Sequence, residues 1–320
     1  MKRTLIILLV FSLIIGTAFA TEEQIEQYEA IANHDVNLRR KPVNGALISV
    51  IAEGDKVTVL EYSEDWCRVK YRSRTGYCMT KYLDRFRSLD AHAYPLPGHT
   101  PCVGFIRFEE ETVLSGDAFE GITVKPQQVA CVLRVSEEGY HLPVWRGETV
   151  IPLEKGLLSS FIPWQKAKSG DVIGGFTTYY GEQQGKGYAT ERAANIQIGC
   201  DRIHGQTVEE GQSFSFNALC FPYTQENGYF YAPNISKEGF NYGGGVCQVT
   251  TTLYNALLSL PLQIDAWAVH RYSGVSYVPQ FFDAAVGRYS DLSFTNTLPY
   301  PIMILAWPQE GLLTVLIVKK

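Results

Sequence analysis

Charge is scarce in this chain. Only 19% of its 320 residues are Asp, Glu, Lys or Arg, and the net charge is -5. No long basic run appears, which argues against nucleic acid as the main partner, because neutralising phosphates needs clustered Lys and Arg. No two of the seven cysteines are spaced Cys-x-x-Cys, and no His stands at zinc-ligand spacing from them. Structural zinc is therefore not expected, nor any other metal or cofactor. There is no internal repeat. Beyond the N-terminus no apolar run is long, so no membrane span is expected in the mature chain.

What is present starts with a sorting signal. Lys2 and Arg3 precede an apolar run from Leu5 to Ile15, and Ala18-Phe19-Ala20 places small residues where a signal peptidase reads. Residues 1–20 are expected to be a signal peptide, too short for an ordinary span. No Cys follows the cleavage site, which argues against a lipoprotein anchor. The mature chain is expected outside the cytoplasmic membrane, where disulfides are permitted. Seven cysteines (67, 78, 102, 131, 200, 220 and 247) leave at least one unpaired. The length suits two or three domains at roughly 100–150 residues each. Nineteen Tyr suit β-rich structure, either as contact surface for carbohydrate or peptide or as half-buried strand filling.

Short strands dominate the first part. Val36-Asn37-Leu38-Arg39 and Lys56 to Tyr62 alternate in hydropathy, and Trp66–Tyr71 and Gly76–Thr80 flank a turn. Residues 21–32 read instead as a polar, weakly helical lead-in. The ordered landmarks Asp35-Val36-Asn37-Leu38-Arg39, Gly54-Asp55-Lys56-Val57, Trp66-Cys67-Arg68-Val69, Thr75-Gly76-Tyr77 and Tyr82-Leu83 resemble bacterial SH3-like domains over residues 33–86. The resemblance implies a small β-barrel that binds cell-wall peptide or glycan. Cys67 and Cys78 lie on the two arms of one hairpin, placed for a cross-strand disulfide if the geometry suits. Residues 87–175 carry no family resemblance that their sequence makes recognisable. They read as a β-rich connecting region or subdomain, with strands at Val129–Val135 and Glu148–Leu153. Cys102 and Cys131 could pair.

From residue 176 to 318 helices and strands mix. Thr190 is placed to cap a helix to about Ile203, with Ile196, Cys200 and Ile203 on one face. A second helix runs from Cys247 to Leu258 and is ended by Pro261. Strands are expected at Ala266–Val269, Gly274–Val278, Asp291–Thr295, Pro301–Trp307 and Leu312–Val318. Three glycines, Gly243, Gly244 and Gly245, lead straight into the second helix and permit a sharp turn. A thiol at a helix start feels unpaired N–H groups and the positive dipole end, and both favour thiolate. Gln248 offers an amide as an oxyanion donor, and His270 lies downstream with Asp283 and Asp291 beyond it. Together they outline a thiol acyl-transfer site. The alternative is a buried Cys behind a packing turn, with His270 and the two acids serving turns.

The same stretch resembles the VanW family from about Tyr188 to Ala306. The resemblance is carried by Arg192 and Asn195, by Phe214-Ser215-Phe216-Asn217, by Gly243-Gly244-Gly245-Val246-Cys247-Gln248, by Thr251-Thr252-Leu253-Tyr254, and by His270, Ser273, Asp283 and Asp291. The sequence departs from the pattern where Arg271-Tyr272 separates His270 from Ser273 and where Gln280-Phe281-Phe282 replaces the usual Pro-Gly. Cys200 and Cys220 look like additions and could form an extra disulfide. The resemblance implies an envelope protein of the kind found beside glycopeptide-resistance genes and carries no reaction with it. The expected fold is α+β, an SH3-like barrel followed by the mixed domain. The leading expectation is a secreted, wall-associated accessory protein that binds peptidoglycan or its precursors. A Cys247-dependent amidase, peptidase or transpeptidase, and a structural interaction protein, are the alternatives.

Overall fold

The computed structural model describes residues 28–63, 65–88, 99–116, 119–144, 147–180, 189–234, 239–270, 275–279 and 282–320. The expected signal peptide lies outside the described residues, as do residues 271–274 with Gln280 and Phe281.

Seven strands come first: β1 (Tyr28–Ala32), β2 (Val36–Arg39), β3 (Leu47–Ile51), β4 (Lys56–Glu61), β5 (Trp66–Tyr71), β6 (Arg74–Met79) and β7 (Leu83–Ser88). They form one antiparallel sheet in the order β3-β2-β6-β5-β4-β1-β7. Strand alternation sends Val36 and Leu38, then Cys67, Val69 and Tyr71, into the core. Among the described residues β3 and β7 are not paired, so the expected barrel is present as a seven-stranded sheet with two end strands. The helical lead-in expected over residues 21–32 is replaced, where described, by β1. Its ladders to β4 and β7 satisfy both sides of the backbone, which outweighs a weak i, i+3 pattern.

The next eight strands are β8 (Gly104–Phe108), β9 (Thr112–Gly116), β10 (Phe119–Val124), β11 (Val129–Val132), β12 (Arg134–Ser136), β13 (Gly139–Val144), β14 (Gly147–Ile151) and β15 (Gly156–Ser160). They make two three-stranded sheets, β11-β8-β15 and β12-β13-β14, and a β9–β10 hairpin. Ile106, Phe108, Leu114, Val124 and Leu142 form their core, which also takes in Tyr179 and Leu312. Val129 is held at both its N–H and its carbonyl by the Gln309 side chain, at 2.7 and 2.9 Å. These strands are therefore docked on the last domain.

That last domain contains β16 (Val172–Tyr179), α1 (Ala189–Ile203), β17 (Thr207–Val208), β18 (Ser213–Ser215), α2 (Phe216–Cys220), β19 (Tyr231–Pro233), β20 (Phe240–Tyr242), α3 (Val246–Leu257), β21 (Gln263–Ala266), β22 (Ser293–Thr295), β23 (Ile302–Gln309) and β24 (Leu312–Lys319). The sheet β16-β24-β23-β17 is its floor. α3 lies on β16 and β24, and α1 packs on β23 and α3. Ile196, Cys200 and Ile203 do share the buried face of α1, but Thr190 lies inside its first turn rather than capping it. α3 is buried on every side except at Cys247. The strands expected at residues 266–269 and 274–278 are not formed where described. β21 ends at Ala266, and residues 267–270 and 275–279 run as irregular chain.

All seven cysteines are free thiols. Cys67 and Cys78 face each other across β5 and β6, but Cys67 Sγ contacts Thr80 Oγ1 at 3.3 Å. Cys102 hydrogen-bonds Cys131, and Cys200 and Cys220 are both buried. None of the three expected pairs is bridged. Burial raises the thiols of Cys67, Cys102 and Cys200, and pushes Cys78 and Cys220 up to about 12.

Candidate functional site: a thiol at the head of a buried helix

The triple glycine turns the chain from β20 into α3. Gly245 is the N-cap and sits at φ 107°, which an L side chain rarely adopts. Gly244 lies so close to the Ala232 and Pro233 carbonyls that a Cβ would run into them. Asn195 of α1, fully buried, fixes this turn. Its amide donates to Gly244 O and to Phe230 O, both at 2.9 Å, and its carbonyl accepts from Phe230 N–H at 2.8 Å. The turn thus delivers Cys247 as the second residue of α3, partly exposed, while its helical neighbours are covered.

Three groups lie at the Cys247 sulfur, one of them the Val286 carbonyl, which accepts from the thiol at 3.6 Å. Val286 N–H donates to the sulfur at 3.4 Å. The His270 imidazole hydrogen-bonds it as well. The other edge of the ring is taken by Asp283, whose Oδ2 lies 2.6 Å from His270 Nδ1 and also accepts the His270 backbone N–H at 2.8 Å. With Nδ1 held by the carboxylate, Nε2 is the nitrogen available to sulfur. Burial works against a charged imidazole, but the hydrogen bonds to Asp283 and Cys247 outweigh it and hold His270 up to about 10. The ring is thus favoured as imidazolium beside the sulfur.

Asp283 is only 2% exposed and is held from several sides. Trp267 Nε1 donates to its carbonyl at 2.7 Å, and Tyr254 stacks on Trp267 with ring centroids 5.0 Å apart. α3 grips the same segment. Asn255 donates to Phe282 O, Thr250 to Ala284 O, and Ala284 N–H donates to Thr251, at 2.8, 2.6 and 2.9 Å. Asp291, the other expected acid, is elsewhere. It accepts from Ser215 Oγ and from Asn217 N–H at 2.6 and 2.9 Å, and so secures the start of α2.

Gln248 is also not where an oxyanion donor must be. It is buried, and its amide N–H groups donate to Thr178 Oγ1 and Tyr179 O at 3.0 and 3.1 Å. Its carbonyl accepts from Arg192 Nη2 at 2.6 Å. One residue further along the helix, its side chain points about 100° away from that of Cys247, toward β16. The backbone offers a donor instead. Val246 N–H bonds Gly243 O and Gln248 N–H bonds Gly245 O, but among the described residues the Cys247 N–H has no backbone acceptor. Among the described residues no cluster of three or more His, Cys, Asp or Glu could hold a metal ion.

Pattern reading missed the residues that hold the acid: Thr250, Asn255 and Trp267. A signal existed, since four polar residues in six positions (Thr250, Thr251, Thr252, Asn255) are unexpected on a helix buried all round.

A thiol, an imidazole and a carboxylate thus lie side by side at the head of a buried helix, in a chain whose first seven strands form a sheet of their own. The chain carries a VanW like protein domain over residues 191–318 and a bacterial SH3 domain over residues 34–84. It is 36% identical over 140 residues to the uncharacterized protein YoaR of Bacillus subtilis (strain 168), a match spanning 42% of this chain and 43% of that protein. Solved structures align only loosely. NlpC1 from Trichomonas vaginalis is 10% identical, covering 88% of this chain and 91% of that one, with a TM-score of 0.18. An NlpC/P60 family protein from Bacillus cereus is 11% identical, covering 91% and 94%, with a TM-score of 0.17. Scores this low give no common fold. Among the described residues no helix is long and apolar enough to cross a membrane.

Proposed function

We propose that this is an exported cell-envelope protein whose SH3 domain binds peptidoglycan and whose VanW-like domain performs thiol acyl transfer on wall peptides. The two domains together suggest a cell-wall-associated protein. The observation that carries the chemistry is His270 hydrogen-bonded to Cys247 on one edge and to Asp283 on the other. In this reading Asp283 fixes the ring's orientation and tautomer. His270 holds the thiol proton, and the thiolate attacks a peptide carbonyl. The developing oxyanion meets the Cys247 N–H. As the C–N bond breaks, His270 gives its proton to the leaving amine, and a thioester remains on Cys247. An acceptor amine or water, deprotonated by His270, then resolves the thioester.

The test is intact-protein mass spectrometry after incubation with soluble peptidoglycan fragments. The expected result is a hydroxylamine-labile adduct on the wild type and none on Cys247→Ala. No adduct on the wild type with any peptide-bearing fragment would return the chain to a binding role. Wall binding is read separately, by cosedimentation with insoluble peptidoglycan. Retention should drop when residues 28–88 are deleted.

A further inference from the structure

Arg192 is a charge that the acyl-transfer chemistry does not use. Its aliphatic stem lies against Gly245, since a Cβ there would come within 2.9 Å of Arg192 Cγ. Its Nη2 reaches Gln248 Oε1 at 2.6 Å. Arg192 therefore touches Gly245 and Gln248, which lie on either side of Cys247 in sequence; burial works most strongly against its charge, and Tyr277, Tyr180 and Cys247 support it. Among the described residues no Asp or Glu pairs with it. One neutral amide carbonyl, among the described residues, serves a group with five N–H donors. A half-buried guanidinium without a counter-ion is costly to hold. Placing Gln248 does not require it, because Gln248 already donates to Thr178 and Tyr179. What a planar fork of donors suits is a carboxylate, bound through parallel N–H···O bonds.

We propose that Arg192 binds a free carboxylate of the acyl donor, so that Cys247 acts on peptides whose scissile amide is followed by a terminal amino acid. This rests on the acyl-transfer reading. The thiolate adds to the carbonyl, the C–N bond breaks, and the departing amino acid takes a proton from His270 onto its amine and keeps its own carboxylate. An internal peptide bond or an amidated terminus brings no such charge to the site.

The experiment compares two alkylating agents on the full chain, iodoacetate and neutral iodoacetamide. In the wild type the iodoacetate-to-iodoacetamide rate ratio at Cys247 is expected about tenfold or more above that of a small free thiol, the scale of one charge-assisted hydrogen bond. Arg192→Gln should return the ratio to the free-thiol value, and Arg192→Lys should leave it in between. Donor peptides ending in a carboxylate or a carboxamide should show the same preference and the same loss. A wild-type ratio equal to that of a free thiol overturns the proposal, and this arm needs no variant to fold. A ratio that survives Arg192→Gln overturns it too, as does equal slowing of both reagents, which would make Arg192 a partner of the thiolate alone. In each of these cases fast iodoacetamide labelling leaves the acyl-transfer reading standing. Slow labelling by both reagents sinks the two together.

Discussion

Asn195 on α1 donates to the carbonyl of Gly244 at 2.9 Å, so the helix that opens the VanW-like domain holds the turn that presents its thiol. The same side chain makes two further bonds, to Phe230 N–H and O. Asn195→Ala removes three hydrogen bonds, one buried and two part-buried, and takes this partner from Gly244 O and Phe230 N–H, while Phe230 O keeps Gly243 N–H. The expected cost is about 2–4 kcal/mol, from unsatisfied buried groups. Urea unfolding measures it, and a change below about 0.5 kcal/mol, the range of an unimportant surface site, would refute the clamp.

Gly244→Ala should act on the site more than on the fold. The added Cβ meets the Ala232 and Pro233 carbonyls, so the turn must move and Cys247 with it. Labelling of Cys247 should slow at least about tenfold, as small misplacements cost reacting groups that much. An unchanged rate would show that the turn does not set the thiol's position.

Cysteine chemistry should be strongly selective. Six thiols are buried, and burial raises those at Cys67, Cys78, Cys102, Cys200 and Cys220. Cys247 alone is partly exposed. Native reduced protein treated briefly with iodoacetamide at pH 7 should gain one label, on Cys247, and the full set only after denaturation. Several labels on the native chain would contradict this.

The pH dependence follows from His270. Its folded value, about 10, lies above the ordinary 6.5. Its contribution to stability is therefore complete below about pH 6.5 and is lost as pH rises toward 10. The melting-temperature gap between wild type and His270→Gln should be widest in mild acid and close with rising pH. A gap independent of pH would mean that no buried imidazolium is being held.

The two acids should separate cleanly. Asp283→Asn removes the charge from His270 and should slow Cys247 alkylation at neutral pH by about tenfold or more. Asp291→Asn weakens the start of α2 and should cost about 1 kcal/mol of stability while leaving alkylation unchanged. Equal effects on labelling would show that the two positions are not distinct in role.

Much of this was legible in the sequence. Cys247 at a helix start, His270 downstream and one of two acids all follow from residue types and order, because a helix N-terminus and a glycine turn are local features. The choice between Asp283 and Asp291 was not legible, since it depends on how irregular chain folds back over α3. The inward turn of Gln248 was equally hidden: adjacency to the nucleophile suggested a donor, but helix geometry rotates neighbouring side chains apart. The strand at Tyr28–Ala32 was missed because its stability comes from two partners distant in sequence.

The grip of α3 on residues 282–286 has a further consequence. Asn255, Thr251, Thr250 and Cys247 meet Phe282, Ala284 and Val286 in reverse order along the helix. The segment behaves as a ruler laid against a graduated rod. Its side chains at Ala285 and Val286 can change while the backbone contacts persist. Its length cannot: one residue inserted or removed there would carry Asp283 off His270 or Val286 off the sulfur. In this domain the count of residues between acid and sulfur contact matters as much as their kind.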